Sequence, residues 1–271
     1  MFKFFLKKNF ADGWENLFFI ILCNVIVTAV GVACGFGIFQ AGNVSRLAAA
    51  GAFIVCAGIF SAAVFSWGAC AAKIADFRAA SFKVFFGAFR RVFGIAFAFG
   101  ALFAVFILIL RFGIAYYFSD FLQKGSKVSL LFTAVLAWFA LVCVIALQWF
   151  LPLYYLQESN GFAKCLKKSF IIFFDNAGFS VGIFFYNVFL FAISVLTVGI
   201  APGVNGITLS CMNALRLRLY KYDWIEEMTS QDADFINSRD KRSEVPWDEL
   251  LADDKESLGE FKLSRLLFPW K

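Results

Sequence analysis

Six stretches of the chain, at about residues 17–39, 47–72, 92–112, 129–156, 176–198 and 200–217, are strongly apolar, and the first five hold no Asp, Glu, Lys or Arg before their last residues. No other feature constrains the fold as much. An uncharged run of about 18 residues or more belongs in lipid rather than in a soluble core. At about 1.5 Å per residue, 23 helical residues reach about 34 Å, enough for a hydrocarbon layer of about 30 Å. Of the 271 residues, 61% are hydrophobic, above the 45–50% or so of an ordinary soluble domain. A soluble enzyme, a disordered chain and a disulfide-stapled secreted domain are excluded. The expected fold is all-α: a polytopic membrane bundle of about six transmembrane helices over residues 1–218, followed by an acidic tail over 219–271.

Charge divides at the same place. Residues 1–218 hold 17 Lys/Arg against 6 Asp/Glu, and residues 219–271 hold 8 against 13. A basic apolar body with an acidic tail does not suit nucleic acid. Its cations cap apolar segments, as headgroup anchors do, so the bilayer itself is the first partner. With the N-terminus inside, the cytoplasmic stretches carry fourteen cations and the outer loops carry four, Arg46, Arg111, Lys124 and Lys127. That asymmetry predicts both termini in the cytoplasm. Gly31-Val32-Ala33-Cys34 resembles a lipoprotein processing site. However, Asp12 and Glu15 interrupt the region before it and the apolar run continues beyond it, so an uncleaved first helix is expected.

Three short patterns share the order apolar-basic-basic-x-Phe: Leu6-Lys7-Lys8-Asn9-Phe10, Phe89-Arg90-Arg91-Val92-Phe93 and Leu166-Lys167-Lys168-Ser169-Phe170. Each precedes an odd-numbered apolar run. They suggest three helix-hairpin units, each preceded by an amphipathic interfacial helix, with Lys7, Lys8, Arg90, Arg91, Lys167 and Lys168 as membrane-interface anchors. Convergent membrane grammar produces the same pattern without duplication. In the tail, short helices are expected at about 223–237 and 247–260, and residues 261–271 alternate bulky apolar and basic side chains suited to a bilayer or a partner.

The chemistry is mostly one of exclusions. The chain has no His, which removes the commonest general base and His-dependent metal sites. Its seven Cys lie in or beside apolar runs without zinc-ligand spacing, so they read as packing residues. No cofactor and no metal are implied. No charged group stands at helix depth, so the acid, base or charge ladder of an intramembrane enzyme or proton-coupled pump is missing. The remaining polar side chains are interhelical hydrogen-bonders or the lining of a cavity for a neutral polar solute. For the cavity the candidates are Asn24, Gln148, Asn187, Asn205 and Asn213, near the Gly/Pro-interrupted stretch around Pro202.

Trp14-Glu15-Asn16-Leu17-Phe18-Phe19, the Phe82-to-Phe93 stretch, and Gln148-Trp149-Phe150-Leu151-Pro152-Leu153-Tyr154-Tyr155 followed by Leu166-Lys167-Lys168-Ser169-Phe170 together give a segment order that resembles the YesL-like family of small bacterial integral membrane proteins. The first helix ends Gly-rich here, where that family is expected to be Pro-rich. The resemblance implies the bacterial inner membrane and at most an accessory role beside an uptake system. The expected function is therefore a non-enzymatic accessory or assembly partner of another membrane system, contacting a membrane-protein partner through the tail. The alternative is a small neutral-solute permease. The mitochondrial carrier pattern, with its Pro-x-acidic-x-x-basic signature, is absent.

Overall fold

The computed structural model describes residues 1–158, 161–231 and 245–259. Its described residues form eleven α-helices and no strand: α1 (Phe2–Glu15), α2 (Leu17–Val44), α3 (Arg46–Ala75), α4 (Phe82–Lys124), α5 (Lys127–Leu147), α6 (Phe150–Leu156), α7 (Phe162–Asp175), α8 (Ala177–Leu196), α9 (Gly203–Gln231), α10 (Trp247–Leu250) and α11 (Ala252–Leu258). Five stretches are long and apolar enough to cross a bilayer: α2, α3, α4, α5 with α6, and α8. Their mean hydropathy is 2.1 to 2.8, yet only 17–22% of each most apolar window is buried within the protein. Side chains such as Phe18, Phe36, Phe112, Trp138 and Phe185 point outward. Apolar helices that turn most of their surface outward need a lipid solvent. The chain is a multi-pass membrane protein.

Local chemistry explains the joints. Ser45 and Ser126 cap α3 and α5 by accepting from the backbone N–H of Ala48 and Ser129 at 3.0 and 3.3 Å. Gly125, with φ +66°, closes α4. The expected run 129–156 is broken at Gln148–Trp149. Pro152 has no N–H to give to the Gln148 carbonyl four residues back; the Trp149 N–H bonds Ala146 three residues back, and the ladder resumes from Leu153 to Trp149.

The second expected interfacial helix is not separate: Phe82 to Lys124 is one helix of 43 residues, about 64 Å long. In contrast, α1 and α7 end at Asn16 and Asn176, each following an acidic residue. Each Asn side chain donates back to a carbonyl four residues earlier, Asp12 at 2.9 Å and Ile172 at 3.4 Å, and so reorients the chain. The Phe89-to-Phe93 stretch has no such residue, and α4 runs straight through it.

The sixth expected span also differs. Residues 203–217 are helical, but α9 continues to Gln231, across the expected boundary at 218, and it is absent from the five spans. The α8–α9 turn packs on Asn24, whose Nδ2 donates to the carbonyls of Ile200 and Pro202 at 2.9 and 2.7 Å. Trp67 Nε1 donates to the Asn205 carbonyl at 2.9 Å. From those contacts α2 and α3 continue to Val44 and Arg46, about 30 Å further. The α8–α9 hairpin is therefore short, and α9 is wrapped by the bundle rather than set beside it. Gly203 makes this closeness feasible, because its φ is +64° and a Cβ there would strike the Asn24 amide.

The core accordingly gathers at one end, called here the basic end. Phe5, Phe65, Trp149, Phe150, Ile183 and Leu215 are buried together, and Ile20, Cys23, Trp67, Leu209 and Met212 form a neighbouring cluster. From Thr28 to Ala57 no residue is buried. Lys7 Nζ donates to the Gly259 carbonyl at 3.2 Å, so the N-terminal helix and the described part of the tail share this end. The expected tail helix at 247–260 is present as α10 and α11. The outer part of the other, 232–237, and the alternating segment 261–271 lie outside the described residues.

Candidate functional site

The five polar residues expected to line a cavity do not meet in one place. Asn24 and Asn205 come together at the α8–α9 turn, where Asn24 Oδ1 accepts from the Asn205 backbone N–H at 3.1 Å. Asn187 donates to Cys211 Sγ at 3.1 Å, Asn213 donates to Asn9 Oδ1 at 3.2 Å, and Gln148 donates to the Ser180 carbonyl at 3.0 Å. Both amide atoms of the fully buried Asn205 lack a hydrogen-bond partner among the described residues. Asn24, Asn187, Asn205 and Asn213 therefore string along α9, and Gln148 stands apart against α8, so the five do not surround a space.

The six expected anchors divide too. Arg90, Arg91 and Lys167 are exposed, and Lys168 Nζ donates to Gln157 Oε1 at 2.6 Å. Lys8 is the correction. It is 0% exposed, its ammonium lies 3.0 Å from Asp12 Oδ2, and it sits 3.6 Å from the centroid of the Phe77 ring. The reason is helical geometry. Positions 5, 8, 9 and 12 share the face of α1 that packs inward, and Lys8 carries its charge into the core because Asp12, one turn on, neutralises it. Burial pulls the Lys8 ammonium below its usual pKa and pushes the Asp12 carboxyl above its own.

Around this pair lies an ion-pair centre that sequence patterns did not reveal. Arg216 of α9 is bonded to Asp254 of α11 at 2.6 Å and reaches Asp76, just after α3, at 3.5 Å. Tyr220 donates to the same Asp254 at 3.1 Å. Phe77 lies under both Lys8 and Arg216 in a left-handed backbone conformation, φ +54°, a geometry that costs a side chain about 1–3 kcal/mol unless its surroundings impose it. Its partners are 69 and 139 residues away in sequence, so only the Lys8–Asp12 spacing, i to i+4, was a local signal.

A cleft of about 1290 Å³ opens beside this centre between α3, α4 and α6. Lys83, Gly87 and Arg91 form one stripe of α4, Lys73 closes α3, and Arg78 stands in the α3–α4 connection. Ala69, Val84, Ala88, Tyr154 and Tyr155 make its apolar floor, and Glu158 is the one carboxylate in its lining among the described residues. Tyr155 is held by a 2.5 Å bond from its hydroxyl to the Phe65 carbonyl, and its ring covers Gly68. A smaller cavity of about 270 Å³ shares Ala72, Arg78, Tyr155 and Leu156 with the cleft and is bordered by Asp76, Arg216 and Tyr220. The two charged regions are therefore neighbours.

All seven cysteines are free, and no group of His, Cys, Asp and Glu among the described residues could hold a metal. What the arrangement offers is charge at one end of an apolar bundle: a neutralised centre that clasps the tail, and an open basic cleft. The chain matches no protein-family model, no curated protein and no solved structure.

Proposed function

We propose that this is a non-enzymatic accessory of another membrane system, in a bacterial inner membrane with both termini cytoplasmic, acting through its basic end and docked tail. The observation that carries this reading is the tail's seat. Asp254 and Leu251 are buried against the body, while Asp248, Glu249, Asp253 and Glu256 stay exposed. Two short helices with only a handful of residues each have too few hydrogen bonds to persist alone. Their position follows from their contacts with the body, the Arg216–Asp254 bond, the Lys7–Gly259 bond and the buried Leu251 among them, and these leave the four carboxylates exposed. Exposed carboxylates favour a basic partner and steer its approach. The accessory role implied by the YesL-like resemblance agrees with it.

The test is recovery of a tagged full-length chain from its native membrane in mild detergent, compared with a chain lacking residues 245–271 and with Arg216→Gln. A stoichiometric membrane protein retained by the full chain and lost from both variants supports the accessory. Retention by all three overturns the tail as contact surface. The permease reading draws on the unpartnered Asn205 amide and predicts that Asn187→Leu or Asn205→Leu abolishes solute flux in an inserted protein.

A further inference from the structure

The basic end treats its cations in two ways. Lys8, Arg216 and Lys221 each meet a carboxylate, at 3.0, 2.6 and 3.3 Å. In the cleft between α3, α4 and α6, Arg78 alone does so among the described residues, with Asp76 at 2.8 Å. Lys73, Lys83 and Arg91 face the concavity without a carboxylate within 4.0 Å, again among the described residues. A Cβ placed on Gly87, between Lys83 and Arg91 on the same face, would meet nothing within 4 Å. That stretch of the helix is open rather than covered.

Convergent charge of one sign on a concave, partly apolar wall concentrates potential and draws a counter-ion of matching charge. With Arg78 held by Asp76 and Glu158 the one carboxylate in the described lining, Lys73, Lys83 and Arg91 still offer more donors than that carboxylate can use. They suit the several oxygens of a phosphate, which accept bidentate Arg bonds alongside Lys. On the same helix Phe82, Phe86 and Phe93 are exposed, so α4 carries apolar surface in sequence beside its basic stripe. We propose that this cleft binds a phosphate-bearing group. The group is carried either by an anionic lipid headgroup or by a small soluble phosphorylated compound. This inference needs neither the tail contact nor the accessory role.

The experiment uses the full chain in a neutral detergent with three probes: short-chain phosphatidylglycerol, short-chain phosphatidylcholine and glycerol 3-phosphate, with binding followed by native mass spectrometry and ligand-induced thermal stabilisation. Saturable binding of phosphatidylglycerol or glycerol 3-phosphate is expected, weakened about tenfold or more in Lys83→Ala/Arg91→Ala. Arg111→Ala/Lys127→Ala removes the same charge from elsewhere and should bind as the parent does. Preference for the lipid assigns the headgroup as the source. Binding or full competition by glycerol 3-phosphate assigns the soluble source. Three results overturn the proposal: no saturable binding of either anionic probe, equal loss in the two double variants, or phosphatidylcholine binding as tightly as phosphatidylglycerol. Should the cleft double variant fail to fold, Lys83→Gln alone and displacement of phosphatidylglycerol from the parent by inorganic phosphate, against chloride at equal ionic strength, decide the same question.

Discussion

Two sets of cations lie side by side at the basic end and have opposite surroundings. In the ion-pair centre, Lys8 is fully buried and the Arg216 side chain is 15% exposed, and both are matched by carboxylates. In the cleft, Lys83 and Arg91 are exposed and unmatched among the described residues. Lys8 and Arg216, the cations of the centre, are both paired, whereas of the four cleft cations only Arg78 is, among the described residues. Removing a lone ion from water costs several kcal/mol, and Lys8 and Arg216 enter the core with counter-ions; Arg218, with no carboxylate within 4.0 Å among the described residues, lies instead over the Phe179 and Trp247 rings. A cation on an open wall keeps its hydration and can stay available for a visiting anion.

The comparison can be broken most severely at the pair. Lys8→Met or Asp12→Leu alone strands a buried charge, with an expected loss of about 3–5 kcal/mol. The double variant Lys8→Met/Asp12→Leu should recover most of that loss. Thermal unfolding of the three proteins in one detergent checks it, and additive losses would mean that the pair is not an interacting unit.

A smaller effect is expected at the tail. Asp254→Asn exchanges a charge-assisted bond for a neutral one, which amounts to about 1–2 kcal/mol of docking. Protease should then cut between α9 and α10 sooner, while the bundle's unfolding midpoint hardly moves. Equal cleavage rates would show that Leu251 and Trp247 hold the tail by themselves.

The pair should also leave a pH signature. Asp12 has its folded pKa raised above 3.8 by burial. In the window between that raised value and 3.8 the folded chain binds more protons than the unfolded chain, so the group adds stability as pH falls through it. Relative to the Lys8→Met/Asp12→Leu protein, the parent should therefore gain stability on acidification from neutrality into the carboxylate range. A difference that is flat, or that falls, would contradict the burial of Asp12.

The smallest effect belongs to the cleft. Lys83→Ala/Arg91→Ala should change the unfolding free energy by no more than about 0.5 kcal/mol, as at other exposed sites that lack partners. A large loss would mean that these cations are structural and would erase the contrast with the centre.

Part of this was legible in the chain from the start. The all-helical fold and most of the membrane-spanning runs could be read because hydrocarbon thickness imposes a length and a composition that no soluble element needs. The starts of the runs at 17 and 176 were legible from composition, but the cause of the joints was not: Asn16 and Asn176 bond to carbonyls one turn back. Arg90-Arg91 resembled the other two basic patterns, but the chain there has no residue to turn it, and α4 continues. Lys7 and Lys8 look alike in sequence, yet one reaches the tail and the other enters the core. Their 100° separation around the helix becomes a difference only when a neighbour covers one side.

By itself the amino-acid sequence determined the solvent this chain needs, the helical state of its backbone and the end at which its charge collects, since each depends on local composition against a lipid slab. Only the tertiary structure decided the rest: that α9 is wrapped by the bundle, that Asp76 and Asp254 converge on Arg216 across 140 and 38 residues, and that four cations from α3, α4 and their connection face one cleft. Contacts between distant segments carry no mark in the segments themselves, because the free energy of burying a charge is set by whichever helix covers it.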